Sequence, residues 1–306
     1  MPKLFVDRSI QIDAPVADVF AKLNDFNHWQ SWSPWLIMEQ GAKVTVSDDA
    51  KSYSWEGNRI GAGQMAITSE EANKKIQYDL EFLKPWKSQA KVWFDFAESA
   101  GGTKVTWYMD SSLPFFLFWM KAKTNAYIGM DYDRGLNMLK DYVETGSVPS
   151  ELNLKGVETF GPANYVIKKT STTIEDMPGD MQKDMGTLME WAANNGGYEG
   201  YPITVYHKFD FVNRKVTYST GLPVKDLPAN PGNGFATMSI PAIQTYTVEH
   251  KGNYKHLGNA WSTGMNLSQN SVFKGSKKQH PFELYISDPR ETDPNENVSE
   301  IRFPIK

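Results

Sequence analysis

Pro281-Phe282-Glu283-Leu284-Tyr285-Ile286 reads as a short apolar strand with one acid in it. Side chains alternate faces along a strand, so Phe282, Leu284 and Ile286 point one way and Glu283 and Tyr285 the other. A carboxylate among apolar neighbours is costly to bury without a partner, so this position asks for a reason beyond packing. The phrase has an earlier counterpart in Pro202-Ile203-Thr204-Val205-Tyr206. Each copy is followed by a second strand ending in Pro and a branched aliphatic, Gly221-Leu222-Pro223-Val224 in one and Arg302-Phe303-Pro304-Ile305 in the other. Each is preceded by a helical stretch and, before that, a β-rich one, residues 165–170 and 244–249. The second half of the chain is therefore an internal duplication of a strand-helix-strand-strand unit. Superposing the copies sets Thr204 against Glu283 and Tyr206 against Tyr285. The acid belongs to one half only, which the fold alone does not require.

At 306 residues the chain is long enough for two domains. Hydrophobic residues at 40% and charged residues at 22% describe a globular protein, and the 10 Trp, 14 Tyr and 16 Phe call for large cores or aromatic-lined cavities. The absence of cysteine excludes disulfides, thiolate metal sites and cysteine nucleophiles. The amino terminus lacks the apolar core of a secretion signal. The longest apolar run, Phe115–Met120, is far short of the ~20 residues a bilayer span needs. Together these predict a cytoplasmic protein without a membrane partner. Residues 1–150 carry 16 basic and 19 acidic groups against 16 and 17 in the rest, so neither half has the basic excess of a nucleic-acid binder.

Residues 5–12 read as a first strand, and Asp13-Ala14-Pro15 opens a helix with Asp13 as N-cap and Pro15 in the first turn. Val16, Val19, Phe20 and Leu23 give it one apolar face. Phe26-Asn-His-Trp-Gln-Ser-Trp-Ser-Pro-Trp35 packs three Trp into seven residues, a lid over the core or else a binding platform. From residue 51 to 110 the period switches to two, through Ile76, Tyr78, Leu80, Phe82, then Val92, Phe94, Phe96 and Val105, Trp107, Met109, as an antiparallel meander requires. A long helix follows, with Ile128, Tyr132, Leu136, Leu139 and Val143 as its buried stripe and Gly146 as its C-terminal cap. In this order and with these motifs, residues 1–146 resemble the START-like (polyketide cyclase, SRPBCC) superfamily. The resemblance implies a helix-grip fold, in which a curved antiparallel sheet and a long C-terminal helix enclose an apolar cavity. No acid-base pair stands out here, and His28 among aromatics reads as structural.

Residues 147–156, polar and broken by Pro and Gly, read as a linker, and residues 227–234 join the two repeat halves. Met181, Met185, Leu188, Met189 and Ala192 mark one helix, and Leu257, Trp261 and Met265 its partner, with Trp191 and Trp261 placing one indole in each. Such methionine faces suit adaptable binding surfaces, although core packing is the default reading. The duplicated unit, Gly252-Asn-Tyr254 before the second helix, and Phe282-Glu-Leu-Tyr-Ile-Ser-Asp-Pro289 followed by Glu300-Ile-Arg-Phe-Pro-Ile305 make residues 157–306 resemble the gyrase-inhibitor-like family of effector-binding domains. The fold class expected is α+β, a helix-grip domain plus a duplicated effector-binding domain. The resemblance implies binding of small, often cationic and aromatic molecules by a buried glutamate, which by position is Glu283. The helix-turn-helix module that precedes many relatives is replaced here by the START-like domain.

The expected ligand site is Glu283, Tyr285, Tyr206 and Thr204 in one groove, roofed by the helices bearing Trp191 and Trp261. A carboxylate ringed by aromatic faces is a cation site, each ring adding roughly 0.5–2 kcal/mol. The expected partner is a small organic ligand that the protein senses, sequesters or detoxifies, with no nucleic acid, no cofactor and no metal, and the oligomeric state is unassigned. Three other readings stand beside it. Glu283 can serve only to fix strand register. It can be the general base of a hydrolase acting on electrophilic small molecules, beside Trp261, as the resemblance implies for some relatives. The domain can also bind a partner protein through an acidic surface, but no long acidic run occurs. No phosphate loop, Ser-His-Asp arrangement or metal pattern among His28, His207, His250, His256 and His280 supports other chemistry.

Overall fold

The period-two segments become two antiparallel sheets, one in each of the units Met1–Pro149 and Ser150–Lys306. The structure is a computed structural model and describes residues 3–306. The first unit runs β1 (Lys3–Ile12), α1 (Val16–Leu23), β2 (Lys43–Val46), β3 (Ser52–Gly57), β4 (Gly61–Glu71), β5 (Lys75–Lys84), β6 (Ser88–Ser99), β7 (Gly102–Ser112) and α2 (Lys121–Thr145). Its strands lie in the order β1-β7-β6-β5-β4-β3-β2, an antiparallel meander with β1 returned beside β7. The inward set, with Ile76, Tyr78, Val92, Phe94, Val105 and Trp107, forms one core with Tyr132, Leu136 and Leu139 of α2. Trp107 stacks on Tyr132 at 3.8 Å and 11°. Gly146 ends α2 with φ of 83°, the left-handed cap that glycine adopts without a Cβ penalty.

The tryptophan cluster settles as packing. Trp29 and Trp32 are each 1% exposed and sit edge-on to Phe94 and Trp107, too deep to form a surface platform. His28 bonds through Nδ1 to the Tyr142 hydroxyl at 2.7 Å, a structural role. Asp13 is not the N-cap of α1. The helix starts after Pro15, which caps it with no side-chain bond, while the Asp13 backbone N–H donates to Glu144 of α2 at 2.6 Å. Strand β2 was not expected, because four residues are too few for alternation to stand out.

The second unit runs β8 (Ser150–Phe160), β9 (Ala163–Thr173), α3 (Met177–Asn194), β10 (Ile203–Asp210), β11 (Lys215–Val224), β12 (Ala236–Ile240), β13 (Ile243–Gly252), α4 (Gly258–Gln269), β14 (Phe282–Tyr285) and β15 (Val298–Pro304). The repeat β9-α3-β10-β11 recurs as β13-α4-β14-β15. The strand order β12-β9-β11-β10-β14-β15-β13-β8 reads the same from both ends when each strand is exchanged for its copy. A pseudo-dyad therefore passes between β10 and β14. Each copy also has a leading strand, β8 or β12, that pairs with the opposite half: β8 with β13 and β12 with β9. Residues 150–156, expected as linker, thus belong to β8, where Gly156 with φ of 82° sits at an irregularity in the ladder. A bulge of this kind disguises a strand as a loop in sequence.

Candidate functional site

Thr204 of β10 pairs directly with Glu283 of β14, so each residue faces its own repeat counterpart across the pseudo-dyad. The flanking bonds show the same symmetry: Tyr206 N–H donates to the Pro281 carbonyl and Tyr285 N–H to the Pro202 carbonyl, both at 3.1 Å. Opposed residues of an antiparallel pair share a face. A row therefore runs across five strands, Thr220, Thr204, Glu283, Ile301 and Val248, on the face that packs against the helices. The central strand phrase thereby delivers one acid onto the symmetry axis of the unit.

Glu283 is 3% exposed and accepts three hydrogen bonds. Oε1 receives the Trp261 indole N–H at 2.5 Å and the Tyr206 hydroxyl at 3.1 Å, and Oε2 receives the Tyr285 hydroxyl at 2.7 Å. The Tyr285 oxygen also lies 3.1 Å from Thr204 Oγ1, which is 3.5 Å from Thr220 Oγ1. Burial pushes the Glu283 carboxyl above its ordinary range, and the bonds from Trp261, Tyr285 and Tyr206 pull it part of the way back. Burial and then the charge of Glu283 raise both Tyr206 and Tyr285 well above the ordinary phenol value, so both stay neutral donors.

Rings wall the carboxylate. Trp261 meets Tyr206 edge-on at 5.0 Å and Phe303 at 5.4 Å, and Tyr254 meets Tyr285 edge-on at 5.8 Å. Tyr254 was read only as part of the Gly252-Asn-Tyr254 motif and not as a site residue, because it belongs to the short turn Tyr254–His256 rather than to a periodic element; Asn253, which accepts from Lys255 N–H at 3.2 Å, marks that turn. Trp191 does not join the site. Its indole donates to the Pro231 carbonyl at 2.8 Å and packs with Leu188, Ala192 and Phe235, fastening the segment that connects the repeats. The two tryptophans are not equivalent in height: Trp261 lies in the first turn of α4 and Trp191 in the last turn of α3.

The first repeat buries an acid of its own, Asp184 on α3, but neutralises it. Lys168 lies 3.1 Å from Oδ1, and Thr170 and Tyr218 donate to Oδ2 at 2.6 and 3.1 Å. Glu283 has instead two phenols and an indole, donors without charge. The arrangement is a buried carboxyl whose partners among the described residues are uncharged donors. The hydrolytic alternative gains nothing here, since both carboxylate oxygens already accept bonds from protein donors rather than standing free toward a water. Among the described residues no group of three His, Asp or Glu is placed to hold a metal.

Residues 4–144 match the family model described as polyketide cyclase / dehydrase and lipid transport, and residues 157–306 match the GyrI-like small molecule binding domain. Among solved structures the chain is similar to the C-terminal domain of EcmrR, with 19% identity over 51% of this chain and 98% of that one and a TM-score of 0.38. It is similar also to EcmrR in its DNA complex, with 20% identity over 62% and 69% and a TM-score of 0.43. A Mesorhizobium loti protein is 14% identical over 47% and 99%, with a TM-score of 0.36. No curated protein matches the chain.

Proposed function

The chain joins a polyketide cyclase / dehydrase and lipid transport domain to a GyrI-like small molecule binding domain, and from that premise we propose that Glu283 is the binding determinant of the second domain, taking cationic aromatic compounds. The observation that carries the reading is the buried carboxylate on the pseudo-dyad whose partners are neutral rings, set beside Asp184, which has Lys168. A planar cation entering beside Tyr206, Tyr285 and Tyr254 gains the charge of Glu283 and cation–π contact with the rings. Trp261, the half-buried partner, is the side chain that gives way, exchanging its N–H bond for the ligand's charge. Apolar planar compounds stack on the same rings more weakly. The role served is sensing, sequestration or detoxification of such compounds.

Isothermal titration with a cationic aromatic dye such as ethidium tests the reading. Glu283→Gln keeps the shape of the side chain and removes the charge, and is expected to weaken binding by about 2–5 kcal/mol, at least about 30-fold. Equal affinity in the parent and in a variant with unchanged circular dichroism would sink the assignment.

A further inference from the structure

The 3-10 turn Phe115–Met120, between β7 and α2, holds only Leu117 and Met120 half-buried. Its other four side chains, Phe115, Phe116, Phe118 and Trp119, are 75, 62, 67 and 68% exposed. Large aromatics are seldom left in water in such density, and none of the four joins the core of this domain. A second apolar tip joins them at the same end of the sheet. Ser111 of β7 pairs with Ala90 of β6, and Ser88 with Phe82 of β5, so the β5–β6 turn lies beside the point where the chain leaves β7. That turn carries Trp86, 75% exposed, and Leu83, 37% exposed, precedes it at the end of β5.

The charges within these two segments have one sign, although Lys84 is already paired with Glu56 of β3 at 2.6 Å. Residues 83–88 contain Lys84 and Lys87 and no acid, and residues 113–125 contain Lys121 and Lys123 and no acid. We propose that this end of the first domain is a docking surface for an anionic lipid bilayer, with Trp86 and the Phe115–Met120 aromatics entering the interface and the lysines meeting lipid headgroups. Tryptophan and phenylalanine favour the interfacial zone, and a shallow apolar insertion flanked by lysines is the pattern that binds anionic leaflets peripherally. A second copy is the less favoured occupant, because a two-fold contact through this patch sets Lys87, Lys121 and Lys123 against their own duplicates. No helix of the described residues is long and apolar enough to cross a membrane, so contact here is with the surface, and the expectation of no membrane partner is revised to that extent.

Flotation of the full chain with phosphatidylcholine vesicles, with and without a phosphatidylserine fraction, tests the proposal. The expected result is co-flotation with the anionic vesicles, weakened as salt is raised. It falls at least tenfold in Phe115→Ser/Phe116→Ser/Trp119→Ser and in Lys87→Glu/Lys121→Glu/Lys123→Glu. The lysine variant changes exposed side chains, losing only the contact of Lys123 over the Tyr127 ring, and keeps the test decisive should the aromatic one misfold. Absence of flotation in the parent overturns the proposal. So does concentration-dependent self-association that the aromatic variant abolishes, which makes the patch an interface between copies. Flotation unchanged in both variants overturns it as well, because the chain then reaches lipid by another surface.

Discussion

Glu283 is walled off from water, so the energy of its charge is set by three neutral donors and by how far burial outweighs them. Burial wins, and the carboxyl titrates above its ordinary 4.5 in the folded chain. An acid whose folded pKa is raised binds its proton more tightly folded than unfolded. Its contribution to stability is therefore full below the unfolded value, is lost as the pH rises from that value to the folded one, and stays lost above. Glu283→Gln cannot ionise and escapes that loss. Urea denaturation is expected to show the variant gaining on the parent as the pH rises above about 4.5, with the gain closing again in acid. A variant that loses ground to the parent as pH rises would show the donors outweighing burial. Dye binding runs the other way, since it needs the ionised carboxylate and fades as the pH falls through the raised pKa. The face shared by Thr204, Tyr206, Glu283 and Tyr285 was legible because strand alternation has an integral period and a repeated phrase fixed the register. Trp191 was misplaced because two helices sharing a residue type need not present it at the same height, and height follows from where each helix starts.

Helix α4 is seated at close quarters on the sheet. A Cβ at Gly264 would lie 2.0 Å from the Phe303 ring, which is itself packed against Phe273 and Trp261. Gly264→Ala therefore forces α4 away from β15 or turns the Phe303 ring into its neighbours. Overpacking of this kind costs about 1–3 kcal/mol despite the better helix propensity of alanine. The expected outcome in urea is a lower midpoint, together with weaker dye binding, because Trp261 rides on the same helix and meets the displaced ring. A variant with parental stability and affinity would mean that the ring turns freely, against its 7% exposure. At this scale the strand-helix-strand-strand repeat could be read from its periodicities and its terminal prolines. The leading strands β8 and β12 could not. Their partners lie in the other repeat, so their pairing is non-local, and β8 is half exposed and broken by Gly156.

That exchange of leading strands binds the second unit into one cooperative body. β8 completes the sheet beside β13 and β12 completes it beside β9, so neither repeat has a finished edge without the other, and Glu283 lies where the two meet. The first unit buries a separate core made of its own sheet, its tryptophans and α2. Two cores of this kind predict two calorimetric transitions for the whole chain, and a ligand held at Glu283 should move only one. A ligand at about 100 times its Kd adds about 2.7 kcal/mol to the species that binds it. For a unit of this size that amounts to a rise of roughly 5–10 °C. Differential scanning calorimetry with the cationic dye should therefore separate the transitions, the second unit moving up and the first staying in place. Glu283→Gln should cancel the movement while leaving both transitions visible. A dye that raises both transitions, or only the one that Glu283→Gln leaves responsive, places the binding site outside the seam between the repeats.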